Sequence, residues 1–232
     1  MGERVGRESG SEGQTQGVRN ERLAALSPDQ RRQAAALALW PWRAPLLAFE
    51  LNEAWGIDPS VLKSLFRLAA EAPSEAADRA YLQAVAELCT AQLFASEVDP
   101  DTIELVQLET IDSLLTFGAW LDSRRSAEVE RVVETTSGLA NHLDGLVEGS
   151  LYSHPWEQSH RQYLADLADK VSGQGYLAAR NSAIESACHD ALRSLPREGL
   201  FDSDAGRGLL VLCEGLGEEI VTTLQWLRTT GY

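Results

Sequence analysis

Residues 27–41 read SPDQRRQAAALALWP, and their order predicts an α-helix with both ends marked. Ser27 and Gln30 have the spacing of a capping box, in which each side chain binds the backbone N–H of the other residue. Pro28 falls at the first helical position, where a missing N–H breaks no helical hydrogen bond. Pro41 must kink or end the helix, because proline removes a backbone hydrogen bond and clashes with the preceding turn.

Comparable start signals recur and divide the chain into further amphipathic segments. A second helix is predicted through Leu46, Phe49 and Trp55, with Gly56 ending it. Later helix starts are predicted at Asp58-Pro59, Ser74, Asp99-Pro100, Ser126 and His154-Pro155, and further helices over about 176–195 and 204–228. No stretch shows the apolar-polar alternation of a strand. We therefore expect an all-α fold, a compact multi-helix bundle of about eight to nine helices with no sheet.

The beginning of the chain differs in composition from the rest. Residues 1–20 are rich in Gly, Ser, Gln and Glu and almost lack aliphatic side chains. Such a segment cannot bury enough surface to offset the entropy of ordering it. We expect residues 1–20 to form a flexible tail and residues 21–232 to form a single helical domain.

Charge, cysteine content and hydropathy limit the class of protein. Asp and Glu number 35 against 20 Lys and Arg, a net charge of −15, which argues against a nucleic-acid binder that relies on overall positive charge. The cysteines are widely spaced, so they are predicted to be reduced and buried; they are Cys89, Cys188 and Cys213. No run approaches the roughly 18 apolar residues of a membrane span, and no secretory signal is visible. We expect a cytoplasmic protein with no membrane partner.

Several features follow one another in a distinctive order. The first are Arg22-Leu23, Leu26, Gln30, Arg31, Pro45, Phe49, Gly56 and Asp58. The later ones are Thr110-Ile111-Asp112-Ser113 and His154-Pro155-Trp156-Glu157, the second leading into Tyr163 and Leu164. In this order the chain resembles, over about residues 21–172, a bacterial all-helical family of unknown function typified by YjaG. The resemblance implies a helical bundle in a bacterial cytoplasm, supplies no reaction, and leaves residues 173–232 as a C-terminal helical extension.

The negative charge is concentrated in one part of the sequence. Between Glu97 and Glu134 there are ten acidic residues and three arginines, so this stretch carries −7 of the net −15. An acidic surface steers cationic partners and raises their association rate, whereas the alternative explanation is solubility alone. The candidate partner-binding residues are Glu97, Asp99, Asp101, Glu104, Glu128, Glu130 and Glu134.

Signatures of catalysis are missing from the sequence. No H-E-x-x-H, G-x-S-x-G or P-loop occurs, so we expect no catalytic residue, no metal and no cofactor. The fragment nearest to a metal site is Glu157-x-x-His160, because its i, i+3 spacing is that of di-iron helical bundles. The alternative metal site comprises Glu157, His160, Glu53 and Asp112, and the nearest copy of the Glu–His pair is Glu185 and His189, at i, i+4.

Asp112 is a possible buried acid. Leu105, Leu108 and Leu115 lie at i−7, i−4 and i+3 from it, so its carboxylate follows an apolar stripe of the predicted helix. A buried carboxylate has a raised pKa or a committed partner such as an arginine. A proton-transfer group, a ligand contact, an interhelical hydrogen bond and an acid at the edge of a groove are the four interpretations.

The leading hypothesis is a non-enzymatic protein–protein interaction module whose acidic surface binds a basic protein partner. Its concrete form is an immunity protein that neutralises a bacterial toxin. The alternatives are a metal-dependent or small-molecule enzyme with a carboxylate/His site in the bundle, and a DNA-mimic inhibitor. Binding of nucleic acid is disfavoured, since the one basic cluster is Arg19, Arg22, Arg31 and Arg32. A homodimer is left open.

Overall fold

A computed structural model describes residues 20–95, 99–153, 175–194 and 200–231. Within these ranges there are eight α-helices and no strand, which confirms the all-α prediction. The helices are α1 (Pro28–Leu39), α2 (Arg43–Ala48), α3 (Pro59–Ala70), α4 (Glu75–Leu88), α5 (Thr102–Ser123), α6 (Ser126–Ser153), α7 (Tyr176–Ser194) and α8 (Asp204–Thr230). The predicted tail and the helix predicted at His154-Pro155 lie outside the described residues.

Helix α1 is the central helix of the bundle. The Ser27 Oγ accepts from the Gln30 backbone N–H at 3.3 Å, and the Gln30 Oε1 accepts from the Ser27 N–H at 2.9 Å, so the capping box is formed. The helix ends at Leu39, and Trp40–Trp42 form a 3₁₀ turn around Pro41, as predicted. Helices α3, α5, α6 and α7 all pack on α1, which explains why its alanines and leucines are buried on several sides.

The second predicted helix is shorter than its pattern suggested. Helix α2 ends at Ala48, and Trp55 lies on a separate 3₁₀ turn, Glu53–Trp55. Asn52 caps that turn by accepting from the Ala54 N–H at 2.9 Å, which an uninterrupted helix would not allow. Gly56 does end this segment, in the left-handed region with φ 63°.

Helices α5 and α6 form a long antiparallel hairpin across one side of α1. The capping box of α5 is Asp101 with Glu104, so the helix begins about two residues later than Asp99-Pro100 predicts. Arg124 adopts the left-handed conformation, with φ 58°, and ends α5 before α6 begins. Helix α6 continues without a break through Ser137-Gly138.

The C-terminal helices belong to the same hydrophobic core as the rest. Helix α8 packs on α2, on the Trp40–Trp42 turn and on α7. A continuous cluster of buried side chains extends from Leu23 to Leu227. Among the described residues, no helix has the length and apolar character needed to cross a bilayer.

Candidate functional site: the acidic end of the bundle

The acidic stretch predicted as one surface is divided by the fold. Helix α5 has 22 residues and is therefore about 33 Å long. Asp99, Asp101 and Glu104 lie where this helix begins, whereas Glu128 and Glu130 follow its far end. Glu97 lies outside the described residues. The predicted partner-binding residues therefore do not share one surface.

The acids at the start of α6 are balanced by arginines. Residues 124–134 contain three acids, Glu128, Glu130 and Glu134, and three arginines, Arg124, Arg125 and Arg131, so their formal charges cancel. All of the −7 assigned to residues 97–134 is therefore carried by residues 97–123. The α6 half of the prediction therefore has no net formal charge, and two of its arginines, Arg131 and Arg124, pair with Asp112 and Asp78.

Three separate segments meet where α5 begins. The Asn52 Nδ2 donates to the Glu104 Oε1 at 2.9 Å, which joins the segment before α3 to the first turn of α5. The Glu53–Trp55 turn packs on the Gln92–Ala95 turn. Asp58 and Glu87 line the same small cleft of about 100 Å³ between the start of α3 and the end of α4. We call this region the acidic end; its acids are Glu50, Glu53, Asp58, Glu87, Asp99, Asp101 and Glu104.

The acids of the acidic end fall into two groups, those that cap a helix and those that do not. Asp58, Asp101 and Glu104 cap helices: the Asp58 carboxylate accepts from the Ser60 N–H at 2.8 Å, and this hydrogen bond lowers the pKa of Asp58. Asp101 and Glu104 form the capping box of α5. Four more acids are exposed and cap no helix; they are Glu50, Glu53, Glu87 and Asp99. These four present their charge to solvent without a part in holding a helix end.

Basic residues are absent from the sequence of all three contributing segments. Residues 49–62, 84–95 and 99–110 contain no lysine, arginine or histidine. Lys63, about one turn into α3, is the basic residue that follows most closely along the chain. Lys63 acts electrostatically on Asp58, whereas the other acids of the acidic end receive no neutralising charge from these segments.

Asp112 is not the buried acid that the sequence suggested. Its side chain is 46% exposed and pairs with Arg131 of α6, with an Nη2–Oδ2 distance of 2.8 Å. Leu105, Leu108 and Leu115 are only half-buried, so the apolar stripe that contains Asp112 lies at the edge of the α5–α6 interface. The expected arginine partner is present, and the exposed pair contributes at most about 1 kcal/mol.

The alternative metal site is not assembled within the described part of the chain. Glu157 and His160 lie outside it. Glu53 is exposed on its turn at the acidic end, while Asp112 is paired with Arg131 farther along α5. No group of three or more His, Cys, Asp or Glu side chains among the described residues has the arrangement of a metal site.

Glu50, Glu53, Asp58 and Glu87 were not among the predicted partner-binding residues, and Glu53 was predicted only as part of the alternative metal site. The prediction used a continuous window of sequence, whereas the acidic end is assembled from three distant segments. A usable signal was present in the sequence, since each segment lies at a helix terminus and lacks any basic residue. That signal becomes decisive only when the packing of α3, α4 and α5 is known.

No protein-family model, curated protein or solved structure matches this chain. Membership of the family typified by YjaG therefore stays a prediction.

Proposed function

We propose that this protein is a non-enzymatic interaction module whose acidic end binds a basic protein partner. The observation that carries the proposal is the convergence of seven acids from three segments that contain no basic residue. An immunity protein that neutralises a bacterial toxin is the form we propose. The likeness to the family typified by YjaG is retained as a prediction and supplies no competing activity.

Electrostatic steering is the physical basis of this binding. Like charges held together by helix packing produce a field that extends beyond contact distance and guides an oppositely charged protein to the surface. Such a field raises association rates by about 10- to 1,000-fold at low salt. The exposed acids Glu50, Glu53, Glu87 and Asp99 suit this role because pairing them at a wet interface requires little desolvation.

The first experiment tests the acidic end with an oligolysine peptide as a probe. The variant carries Glu50→Gln, Glu53→Gln, Glu87→Gln and Asp99→Asn, which spares the three capping acids. The matched control removes the same charge elsewhere through Glu75→Gln, Glu148→Gln, Glu214→Gln and Glu218→Gln, all at exposed positions. We expect about a tenfold slower association for the first variant and little change for the control at low salt. At about 1 M salt the difference should vanish.

The second experiment tests the immunity role. The product of the neighbouring reading frame is expressed with and without this protein, and growth is scored. Protection by the wild type and by the control, together with loss of protection by the acidic-end variant, would support the proposal. The immunity role would be overturned if the neighbouring product were harmless. It would also be overturned if the acidic-end variant protected cells as well as the wild type does.

Competition with nucleic acid separates simple docking from mimicry of DNA. A DNA mimic occupies the nucleic-acid site of its partner, so duplex DNA would displace this protein from the complex. A docking module that binds elsewhere on the partner would be unaffected by the same DNA. Displacement would therefore favour the mimic over the toxin-neutralising form.

A further inference from the structure

A cavity of about 400 Å³ opens on the side of the bundle made by residues 20–26, α1, α6 and α7. Its apolar wall includes Leu23, Leu26, Leu37, Val133 and Ile184. The volume falls in the range of about 300–1,000 Å³ that is typical of small-molecule sites. None of the segments that form the acidic end contributes to this cavity, so it is a separate feature of the molecule.

A carboxylate is held in place on the α7 wall of the cavity. The Glu185 Oε1 accepts from the Ser137 Oγ and from the Asn181 Nδ2, each at 2.7 Å. Ser137 and Asn181 are only 7% and 2% exposed, and the Asn181 Nδ2 also reaches the Ser137 Oγ at 3.3 Å. Hydrogen bonds of this kind favour the ionised form of a carboxylate and fix its orientation. The polar part of the cavity is therefore a built site.

His189 provides a second and independent indication of a ligand. It lies four residues beyond Glu185, one helical turn farther along the same face of α7, and it also lines the cavity. The side chain is 11% exposed, and the Nε2 atom is buried without a hydrogen-bond partner. A buried polar atom of this kind destabilises the folded protein unless something supplies the missing hydrogen bond.

We propose that this cavity binds a small apolar amine, with the ammonium group between Glu185 and His189 and the apolar body against the leucines of α1 and residues 20–26. An ammonium has three N–H donors, so it can bind the Glu185 carboxylate and the His189 Nε2 atom together. A carboxylate ligand would place a second negative charge beside Glu185. An alcohol would form the hydrogen bonds without the ion pair.

Among the described residues that line the cavity, Arg22 is the one lysine or arginine, and it lies at the mouth. Arg22 is exposed and donates to the Ser186 Oγ at 3.5 Å, so its guanidinium is directed to the rim. Ser186 belongs to a different face of α7 from Glu185, because adjacent helical residues point about 100° apart. Arg22 therefore keeps anionic molecules near the entrance, while the carboxylate inside selects a cation.

The test compares three probes with one skeleton: 4-phenylbutylamine, 4-phenylbutanol and 4-phenylbutanoate. Isothermal titration calorimetry on the full chain gives the three dissociation constants. We expect the amine to bind about tenfold more tightly than the alcohol, since a charge-assisted hydrogen bond is roughly twice as strong as a neutral one. Of the three probes, 4-phenylbutanoate should bind most weakly.

Two variants and one control locate the site. Glu185→Gln keeps an acceptor for Ser137 and removes the charge, so it should abolish the preference for the amine while leaving the alcohol unchanged. Ala34→Phe places a ring in the cavity and should weaken the binding of all three probes. Glu148→Gln removes a charge from an exposed position of α6 that does not line the cavity, and should change nothing.

Several results would overturn the proposal. If 4-phenylbutanoate bound most tightly, the charge of Arg22 and not that of Glu185 would determine which ligand binds. If Glu185→Gln kept the preference for the amine, the amine would bind elsewhere. Failure of all three probes to bind the folded wild type would show that the cavity takes no ligand of this class. None of these results affects docking at the acidic end, which is measured with different variants.

Discussion

Arg32 and Asp78 form a buried ion pair between α1 and α4, with an Nε–Oδ1 distance of 3.1 Å and exposed fractions of 1% and 13%. The same guanidinium donates to the backbone carbonyls of Leu68 at 3.0 Å and Ala69 at 3.3 Å, at the end of α3. A cation at a helix C-terminus is favoured by the helix dipole. Burial lowers the pKa of Arg32, and the adjacent Asp78 opposes that shift. One side chain thus connects three helices.

Removing Asp78 is expected to destabilise the protein strongly. The Asp78→Ala variant leaves the Arg32 guanidinium buried without its anion, and such a loss costs about 3–5 kcal/mol. The midpoint of urea unfolding should therefore fall, as followed by circular dichroism.

The control for this prediction is an ion pair on the surface. Arg67 pairs with Glu71 one turn away, and the two side chains are 64% and 40% exposed. Arg67→Gln should change the free energy of unfolding by no more than about 1 kcal/mol. Equal effects of Asp78→Ala and Arg67→Gln on the free energy of unfolding would show that the buried ion pair contributes little to stability.

Two glycines of α8 are expected to respond oppositely to alanine. A Cβ at Gly217 would lie 2.7 Å from the Pro41 carbonyl oxygen and 3.0 Å from the Ala44 Cβ, so Gly217→Ala forces α8 away from α2. Overpacking of this kind costs about 1–3 kcal/mol. A Cβ at Gly215 meets nothing within 4 Å, so Gly215→Ala should stabilise the helix by about 0.5–1 kcal/mol. Thermal unfolding of the two variants checks the sign of each effect; a Gly217→Ala protein as stable as the wild type would contradict the close packing.

The sequence predicts best what depends on neighbours in the chain. The caps at Ser27, Asp58 and Ser74 were correctly located, because a cap involves residues two or three positions apart. The prediction that the second helix continues to Trp55 was wrong, because Asn52 caps a new turn there. The spacing of apolar residues does not distinguish a continued helix from such a turn. Local chemistry therefore located the beginnings of helices better than their ends.

The roles of residues that depend on tertiary packing were not predicted from the sequence. Arg32 was assigned to a basic cluster with Arg31, yet it is buried against α3 and α4. A signal did exist, since Ala35, Ala36 and Leu39 lie at i+3, i+4 and i+7 and place Arg32 on the apolar face of its helix. Each segment of the acidic end likewise carries a signal, the lack of basic residues at a helix terminus, but only the fold brings the three segments together.

The three cysteines are expected to differ sharply in reactivity. Cys89 is exposed, contrary to the prediction that all three thiols are buried, because α4 ends at Leu88 and the following turn faces solvent. Burial raises the pKa of Cys213 to about 12 and also raises the pKa of Cys188, so both thiols stay protonated at neutral pH. Since the thiolate is the reactive form, Ellman's reagent should modify one thiol quickly in the native protein and all three in urea.

The Cys89→Ser variant provides the control for this experiment. It should leave no rapidly reacting thiol in the native state and two in urea. A rapid second reaction in the native variant would show that the reagent reaches Cys188 through the cavity that this residue lines. That outcome would contradict the protonated, unreactive state expected for both buried thiols.

Asp144 is expected to make stability depend on pH. Its carboxylate accepts from the backbone N–H groups of Leu177 and Ala178 at 3.0 and 2.9 Å, and so caps the start of α7 from α6. Gly175 permits this approach, because a Cβ there would lie 2.2 Å from the Asp144 Oδ2. Burial raises the pKa of Asp144 above its ordinary value of 3.8, although the two N–H groups act in the opposite direction.

The sign of the effect follows from this raised pKa. Between 3.8 and the raised value, the folded protein holds a proton that the unfolded chain has lost, so the free energy of unfolding falls as pH rises. Asp144→Asn removes this titration while other groups remain common to both proteins. The stability of the wild type relative to Asp144→Asn should therefore decrease as pH rises through that window and stay constant above it, in urea unfolding series across pH. A relative stability that increases with pH would show that the N–H groups of α7 outweigh burial and lower the pKa of Asp144.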